Sequence, residues 1–438
     1  MSQITRRSFL PAAALGAAGC SQPGTRTTDA PGAQRVHPLA GVPRQNLKIT
    51  DVTVTLLSYE LPEGRQWLTG RYVTWKTDGV LVRVFTDQGI MGIGEPSPYG
   101  GPVEIKAYIE NYAKPALVGR NPFDVEQLTD VWAGARRPAV IAWAGIDCAL
   151  WDIIGKAVNK PVYELLATDG SPETHLRVYA SGGVEYAWYD RPEALIEEAV
   201  RHKEAGYTAF KFRIGTDWKA AGMTIAKYVP YLEKMRAAVG ADFELMQEAN
   251  MRWTLEECLE LCPVLESLKF HWFEEPIPVN NESSVEDHLK IVAALPAVPV
   301  SGGESRPTRE SFKEWIDRDA YDIVQPDCNT TGVTRAWHIA RYAHLKGKPC
   351  CPHNWHGGLT TMANAALVAG IPNRDMLELN QTENPLKEDI FKDPLVVRKG
   401  YMDLPARPGF GVEVIDEPEK KFPYIPGPYN RPNPKIPG

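Results

Sequence analysis

The sequence predicts an α/β barrel of eight strand–helix units preceded by a smaller domain, and three observations predict it. Between Lys211 and Glu378, short apolar runs recur, each ending in a polar residue able to do chemistry: Phe210-Lys211-Phe212-Arg213, then runs closing on Glu248, Glu274, Glu304, Asp327, His353 and Glu378. The steps between these ends are 26 (274−248), 30 (304−274), 23 (327−304), 26 (353−327) and 25 (378−353). A strand, a helix and two loops need roughly 30 residues, one eighth of a ~250-residue barrel whose functional groups sit at the C-terminal ends of its strands. At 438 residues the chain also exceeds one such barrel, so a second domain is expected.

In chain order, residues 1–30 are expected to be an export signal. Thr5-Arg6-Arg7-Ser8-Phe9-Leu10 is similar to a twin-arginine pattern, although Pro11 stands where Lys is common. The Ala/Leu/Gly stretch from Ala12 to Gly19 is too short to span a membrane. Ala18-Gly19-Cys20 resembles the end of a lipoprotein cleavage box, with Ala17 in place of the usual Leu. These features predict a periplasmic protein, with a lipid anchor at Cys20 as an added expectation. Residues 31–46, rich in Pro and Gly, would be a linker.

Residues 47–172 read as an α+β domain. Residues 48–57 alternate with period two, and Val80 to Glu95 reads as two strands turning at Asp87-Gln88-Gly89. Residues 103–118 and 122–134 have helical patterning, the latter with Asp124 as a candidate cap, and Ala139 to Gly155 is a long apolar helix. The barrel would run over 173–400, and the Pro/Gly-rich segment 401–438 would pack back on the first domain.

Composition narrows the partners. Apolar residues make up 43% of the chain and the net charge is −7, with no basic block to follow a phosphate backbone, so nucleic acid is excluded as an expected partner. No run of about 20 apolar residues exists, so no integral membrane span is expected. The cysteines (20, 148, 258, 262, 328, 350, 351) are seven in number and show no paired framework, so packed thiols are expected.

Glu248, Glu274 and Glu304 would end three consecutive strands. Neighbouring strands lie about 4.8 Å apart, so three carboxylates would crowd one spot and repel. A divalent cation relieves that repulsion, and an all-oxygen ligand set favours Mg²⁺ over softer metals. An acid–base pair made by Glu274 and Glu275 is disfavoured, because adjacent residues on one strand point to opposite faces.

Several segments then carry a family resemblance. They are Gly145-Ile-Asp-Cys-Ala-Leu-Trp151-Asp-Ile-Ile-Gly155, Glu274-Glu275-Pro276, Ser301-Gly-Gly-Glu304, Gln325-Pro326-Asp327 with Pro352-His353, Glu378, and Asn384-Pro385-Leu386 with Pro408-Gly-Phe-Gly411. Over about residues 47–415 the chain resembles the mandelate racemase subgroup of the enolase superfamily. The resemblance implies a (β/α)7β TIM-like barrel under an N-terminal α+β capping domain, and Mg²⁺-dependent abstraction of the proton alpha to a carboxylate. It implies His353 as the base with Asp327 fixing its tautomer, Lys211 as a second positive charge, and Glu378 as a hydrogen-bonding acid at the substrate carboxylate.

Two positions depart from the family pattern. Glu248 stands where Asp is usual, which brings Asn250 in as a helper. Arg213 stands where many members have a second lysine base. Arginine is rarely a base, and its planar fork suits holding a carboxylate or hydroxyl. With a base on one face only, β-elimination of water from a sugar acid, giving a 2-keto-3-deoxy acid, is favoured over racemisation. Racemase, epimerase or lactone cycloisomerase chemistry stays open as the alternative, and a non-catalytic exported binding protein as a second. The expected partner is a small carboxylate, with a homo-oligomeric assembly. Specificity is expected from cap loops 61–78 and 96–103 and from barrel-mouth groups. The candidates are Asn250, Arg306, Trp355 and His356, with Trp67, Arg71, Tyr72, Tyr99, Tyr186, Trp188, Arg252 and Trp253 behind them.

Overall fold

The N-terminal part of the chain is a curled sheet backed by helices. β1 (Ile49–Glu60) is followed by a short hairpin, β2 (Trp67–Thr69) and β3 (Tyr72–Thr74), then by β4 (Lys76–Thr86) and β5 (Met91–Gly94). β1, β4 and β5 form one antiparallel sheet, with the turn at Asp87–Gly89 where the sequence places it. The computed structural model describes residues 37–130, 136–215, 218–279 and 284–436. The twin-arginine segment, Cys20 and the start of the 31–46 linker lie outside the described residues.

Helices α1 (Pro102–Tyr108), α2 (Lys114–Leu117), α3 (Val125–Asp130) and α4 (Ala139–Ala157) follow, with a π turn at Ile109–Ala113 joining the first two. A one-turn 3-10 segment, Pro122–Asp124, precedes α3. Asn121 accepts the Phe123 N–H, and Asp124 makes a two-point ion pair with Arg44. α4 lies almost on the backbone of β5. A Cβ at Gly92 would fall 2.0 Å from the Ala149 carbonyl oxygen, and one at Gly94 would fall 2.1 Å from that of Gly145, so only glycine permits the approach.

The parallel sheet follows. Its strands β6 (His175–Gly182), β7 (Ala209–Arg213), β8 (Glu244–Glu248), β9 (Trp272–Glu274), β10 (Val300–Gly302), β11 (Ile323–Val324) and β12 (Leu377–Asn380) alternate with helices. Each strand pairs with the next as far as β11, and β12 pairs back on β6. The place between β11 and β12 is taken by Cys350, which bridges in parallel to Val324 on one side and Arg374 on the other. The result is a closed α/β barrel with a strand-rich cap. Inward and outward faces of the strands are both buried, so the strands read as continuous apolar runs until their ends.

Buried polar contacts fasten cap to barrel. The helix Cys328–Leu345 places Thr334 against α4, where its N–H donates to Asp147 at 2.9 Å and its hydroxyl accepts from Trp151 Nε1 at 2.8 Å. Glu95, just past β5, accepts both the N–H and the hydroxyl of Thr360 at 3.0 Å. After β12 come β13 (Val397–Arg398) and β14 (Tyr401–Asp403), the latter antiparallel to β6. The tail then crosses the cap, where β15 (Asn430–Pro432) adds a third strand to the β2–β3 hairpin. The segment from His37 to Asn46, expected as linker, is tied down: His37 and His338 both address Glu126 Oε1, and Pro38 is buried. The six described cysteines are buried free thiols. Among the described residues no helix is long and apolar enough to cross a membrane.

Candidate active site

The C-terminal ends of the barrel strands deliver a buried cluster of charges. Lys211 and Arg213 are two apart on β7 and share its inner face. Register then sets Arg213 beside Glu248 and Glu248 beside Glu274, the last residues of β8 and β9. Glu304 lies two residues beyond β10, in the loop rather than on the strand. One carboxylate oxygen from each of Glu248, Glu274 and Glu304 falls within 4.8 Å of the others.

Lys211 Nζ lies 2.5 Å from Glu274 Oε1 and 2.8 Å from Glu378 Oε1. Glu274 Oε2 accepts from Gln325 Nε2 at 2.7 Å and Trp272 Nε1 at 2.9 Å. Arg213 grips Glu248 with Nη2 on Oε1 at 3.0 Å and Nε on Oε2 at 3.1 Å, and its guanidinium lies 4.9 Å from the Trp355 ring centre. Asn354 N–H donates to Glu378 Oε2 at 2.8 Å.

The dyad is formed as well. His353 Nδ1 donates to Asp327 Oδ2 at 2.7 Å, which leaves Nε2 facing Glu304 Oε2 at 3.1 Å. Asp327 caps the helix Cys328–Leu345 through the Asn329 N–H, and Asn364 Nδ2 donates to both Asp327 Oδ1 and the His353 carbonyl. The ring therefore has a fixed tautomer and a fixed orientation.

Electrostatics follow from burial and crowding. Burial works against ionisation of Glu248, but Arg213 and Lys211 outweigh it and hold its carboxyl at about 2. Burial, with the neighbouring carboxylates behind it, pushes Glu274 up to about 7 even with Lys211 opposing. Burial disfavours a charged Lys211, yet Glu274 and Glu378 keep it an ammonium. Burial likewise opposes a charged His353, and Glu304, Glu378 and Asp327 together lift it to about 10; a cation held by Glu304 would cancel the first and largest of these influences and return Nε2 towards the range of a base. Burial, with His353 assisting, drops His356 to about 4, so it is a neutral imidazole at neutral pH.

Glu275 was not expected here. The strand ends at Glu274, and Glu275 takes φ +39°, so the alternation that would turn it outward no longer applies. It is buried, neither carboxyl oxygen has a hydrogen-bond partner, and burial beside Glu304 and Glu274 raises its pKa well above the usual range. The site thus holds six carboxyl groups (Glu248, Glu274, Glu275, Glu304, Asp327, Glu378) against three cationic side chains (Lys211, Arg213, His353). A hard divalent cation fits this imbalance and this all-oxygen donor set.

A cavity of about 210 Å³ opens above the cluster, lined by Arg213, Asn250, Glu304, Asp327, His353, Trp355 and His356 from the barrel, Trp67, Tyr99 and Arg137 from the cap, and Tyr429 from the tail. Of the expected substrate-binding residues, Asn250, Trp355 and His356 line the cavity. Arg306 is not among the lining residues: its guanidinium stacks 4.0 Å from the Trp315 ring centre and bonds Tyr321 and the Ser311 carbonyl. Tyr186, Trp188 and Trp253 are buried in the aromatic core around β7 and β8, and Tyr72 is exposed. Arg137 and Tyr429 were missed; they come from far along the chain, with no motif to mark them.

Comparison with known proteins agrees with this arrangement. Residues 69–167 match the family model described as mandelate racemase / muconate lactonizing enzyme, N-terminal domain, and residues 194–418 match that described as enolase C-terminal domain-like. The chain is 32% identical to arabinonate dehydratase of Saccharolobus solfataricus, over 77% of this chain and 88% of that one. It is 28% identical to D-galactarolactone cycloisomerase of Agrobacterium fabrum, over 84% and 97%. A solved enolase-superfamily structure from Polaromonas sp. JS666 superposes with a TM-score of 0.77 at 31% identity, covering 87% of this chain and 99% of that one.

Proposed function

The chain belongs to the mandelate racemase/muconate lactonizing enzyme family of the enolase superfamily, and from that premise we propose that it is a Mg²⁺-dependent acid-sugar dehydratase. The observation that carries the reading is the asymmetry across the cavity. A tautomer-fixed His353 stands on one side, and Arg213, where a second base would stand, is committed to Glu248.

When bound at Glu248, Glu274 and Glu304, a divalent cation supplies positive charge for the substrate carboxylate as its alpha carbon loses a proton. Lys211 adds fixed positive charge from the same side, and the ionised Glu378 beside it holds that ammonium in place. His353 Nε2 takes the alpha proton while Asp327 holds Nδ1–H and steadies the imidazolium. The C–H electron pair becomes the new carbon–carbon double bond, and the C–O bond to the beta hydroxyl breaks. The leaving oxygen takes a proton from His353 Nε2 and departs as water; the enol then becomes the 2-keto-3-deoxy acid. Asn250, Trp355 and His356 would contact the polyol chain.

A lactone cycloisomerase is the second reading, favoured by the likeness over nearly the whole length of D-galactarolactone cycloisomerase. The deciding experiment is a panel of sugar acids and their lactones in D₂O with Mg²⁺, followed by NMR. Loss of the alpha proton together with a 2-keto-3-deoxy product from an open-chain acid supports dehydration. Product from lactones alone would transfer the assignment to cycloisomerisation, and no exchange with any acid or lactone would sink both.

A further inference from the structure

The cavity has two ends of different character. The barrel end carries Glu304, Asp327 and His353, where a substrate carboxylate and its alpha carbon would react. The cap end carries Tyr99, Tyr429 and Arg137. Two arginines reach the cavity, but Arg213 is already spent on Glu248. Arg137 is exposed and has no hydrogen bond or ion pair among the described residues.

Its position on the chain adds to its charge. Arg137 comes two residues before α4, a helix of 19 residues whose Pro138 N-cap offers no side-chain hydrogen bond to the first turn. That turn packs against the cap loop that carries the lining residue Tyr99: a Cβ at Gly100 would sit 3.5 Å from Ile141 Cγ2. The positive end of the helix dipole and the guanidinium therefore act on the same region. His356, edge-on to Tyr99 at 4.6 Å between ring centres, faces them as a neutral imidazole, able to hydrogen-bond without adding a competing charge.

We propose that Arg137 binds a second, distal carboxylate of the substrate, so that the cavity takes a six-carbon sugar diacid in preference to the monoacid of the same chain. This rests on the sugar-acid reading of the site. The planar guanidinium meets a carboxylate with two parallel hydrogen bonds, whereas a terminal hydroxymethyl group offers one oxygen and no charge. The alpha carbon of the near carboxylate then stays at His353 while the far end is held by the cap.

The test uses the full chain with Mg²⁺, wild type beside Arg137→Gln and Arg137→Lys, and a panel of six-carbon aldarates with their matching aldonates. Binding is read from quenching of tryptophan fluorescence, since Trp67 and Trp355 line the cavity, and turnover from kcat and KM. The expected result is a preference for diacids in the wild type. Arg137→Gln should lose roughly 10- to 100-fold in diacid affinity and kcat/KM, carried by KM, the range for a charge-assisted hydrogen bond. It should leave monoacids nearly unaffected, and Arg137→Lys should recover part of the loss. Equal wild-type affinity for diacid and monoacid, or an equal loss for both in Arg137→Gln, overturns the proposal while leaving the dehydratase reading intact. A wild type that binds no sugar acid overturns both.

Discussion

Arg213 and Glu248 are held together at the ends of adjacent strands by a hydrogen bond from Nε to Oε2 at 3.1 Å and an ion-pair contact between Nη2 and Oε1 at 3.0 Å. A guanidinium so engaged is a fixed charge rather than a proton acceptor. Removing it would strand a buried carboxylate; leaving it confines proton abstraction to the opposite side of the cavity.

The first prediction follows from this. His353→Asn should lose alpha-proton exchange in D₂O by about 10²–10⁴-fold, the usual cost of deleting a general base, and more for turnover, since the same ring returns the proton. Arg213→Lys should retain measurable exchange, and it restores a titratable amine on the second face. Exchange that survives in His353→Asn and vanishes in Arg213→Met would place the base on β7 and undo the assignment.

A second prediction concerns the carboxylates. Glu274→Gln and Glu304→Gln should each abolish turnover and weaken Mg²⁺ binding by calorimetry, because amides are poor ligands for hard cations. Circular dichroism should stay close to wild type, since the barrel closes through β12 and β6 independently of these side chains. Near-normal turnover in either variant would remove that residue from the metal site.

A third prediction is a pH effect on stability. Burial raises Glu95 to about 7 against an ordinary 4.5, with the two bonds from Thr360 opposing the rise. The folded state thus keeps a proton that the unfolded chain releases. Between about pH 4.5 and 7 this group's contribution to stability falls as pH rises, by on the order of 3 kcal/mol over the whole window. Glu95→Gln should therefore gain on wild type between pH 5 and pH 8 in urea unfolding. A wild-type-to-variant difference that is flat with pH would show the carboxyl to be ordinary.

The fourth prediction tests the N-terminal arginines. If Arg6-Arg7 direct twin-arginine export, Lys-Lys at those positions should leave the protein in the cytoplasm on cell fractionation. Undiminished periplasmic recovery would count against that route.

Much of the barrel end of the site was legible in the sequence, because a parallel strand is apolar on both faces until it meets the cavity. Lys211, Glu248, Glu274, Asp327, His353 and Glu378 each close or interrupt such a run, and the structure gathers them. Glu275 was misread because alternation holds only while the strand lasts, and the chain turns to φ +39° at that residue. Arg306 follows Glu304 closely and looked like a barrel-mouth cation, but Trp315 and Tyr321 offer its guanidinium a stacked, hydrogen-bonded seat outside the cavity. Arg137 and Tyr429 belong to no periodic pattern. They reach the cavity only because α4 packs on β5 and the tail pairs with β3, long-range events that local spacing does not encode.

Tyr429 lines the cavity from a tail whose last strand pairs with one of the first, β15 with β3. That pairing has a consequence for the order of synthesis. A ribosome moving at roughly 5–20 residues per second needs roughly 20–80 s to travel the 380 residues (429 − 49) from the start of β1 to Tyr429. During that interval the nascent chain can form β1, β4 and β5, but the closing strand β12 and the tail are still to come. Premature termination anywhere between β14 and Tyr429 would release a closed barrel with an unfinished mouth.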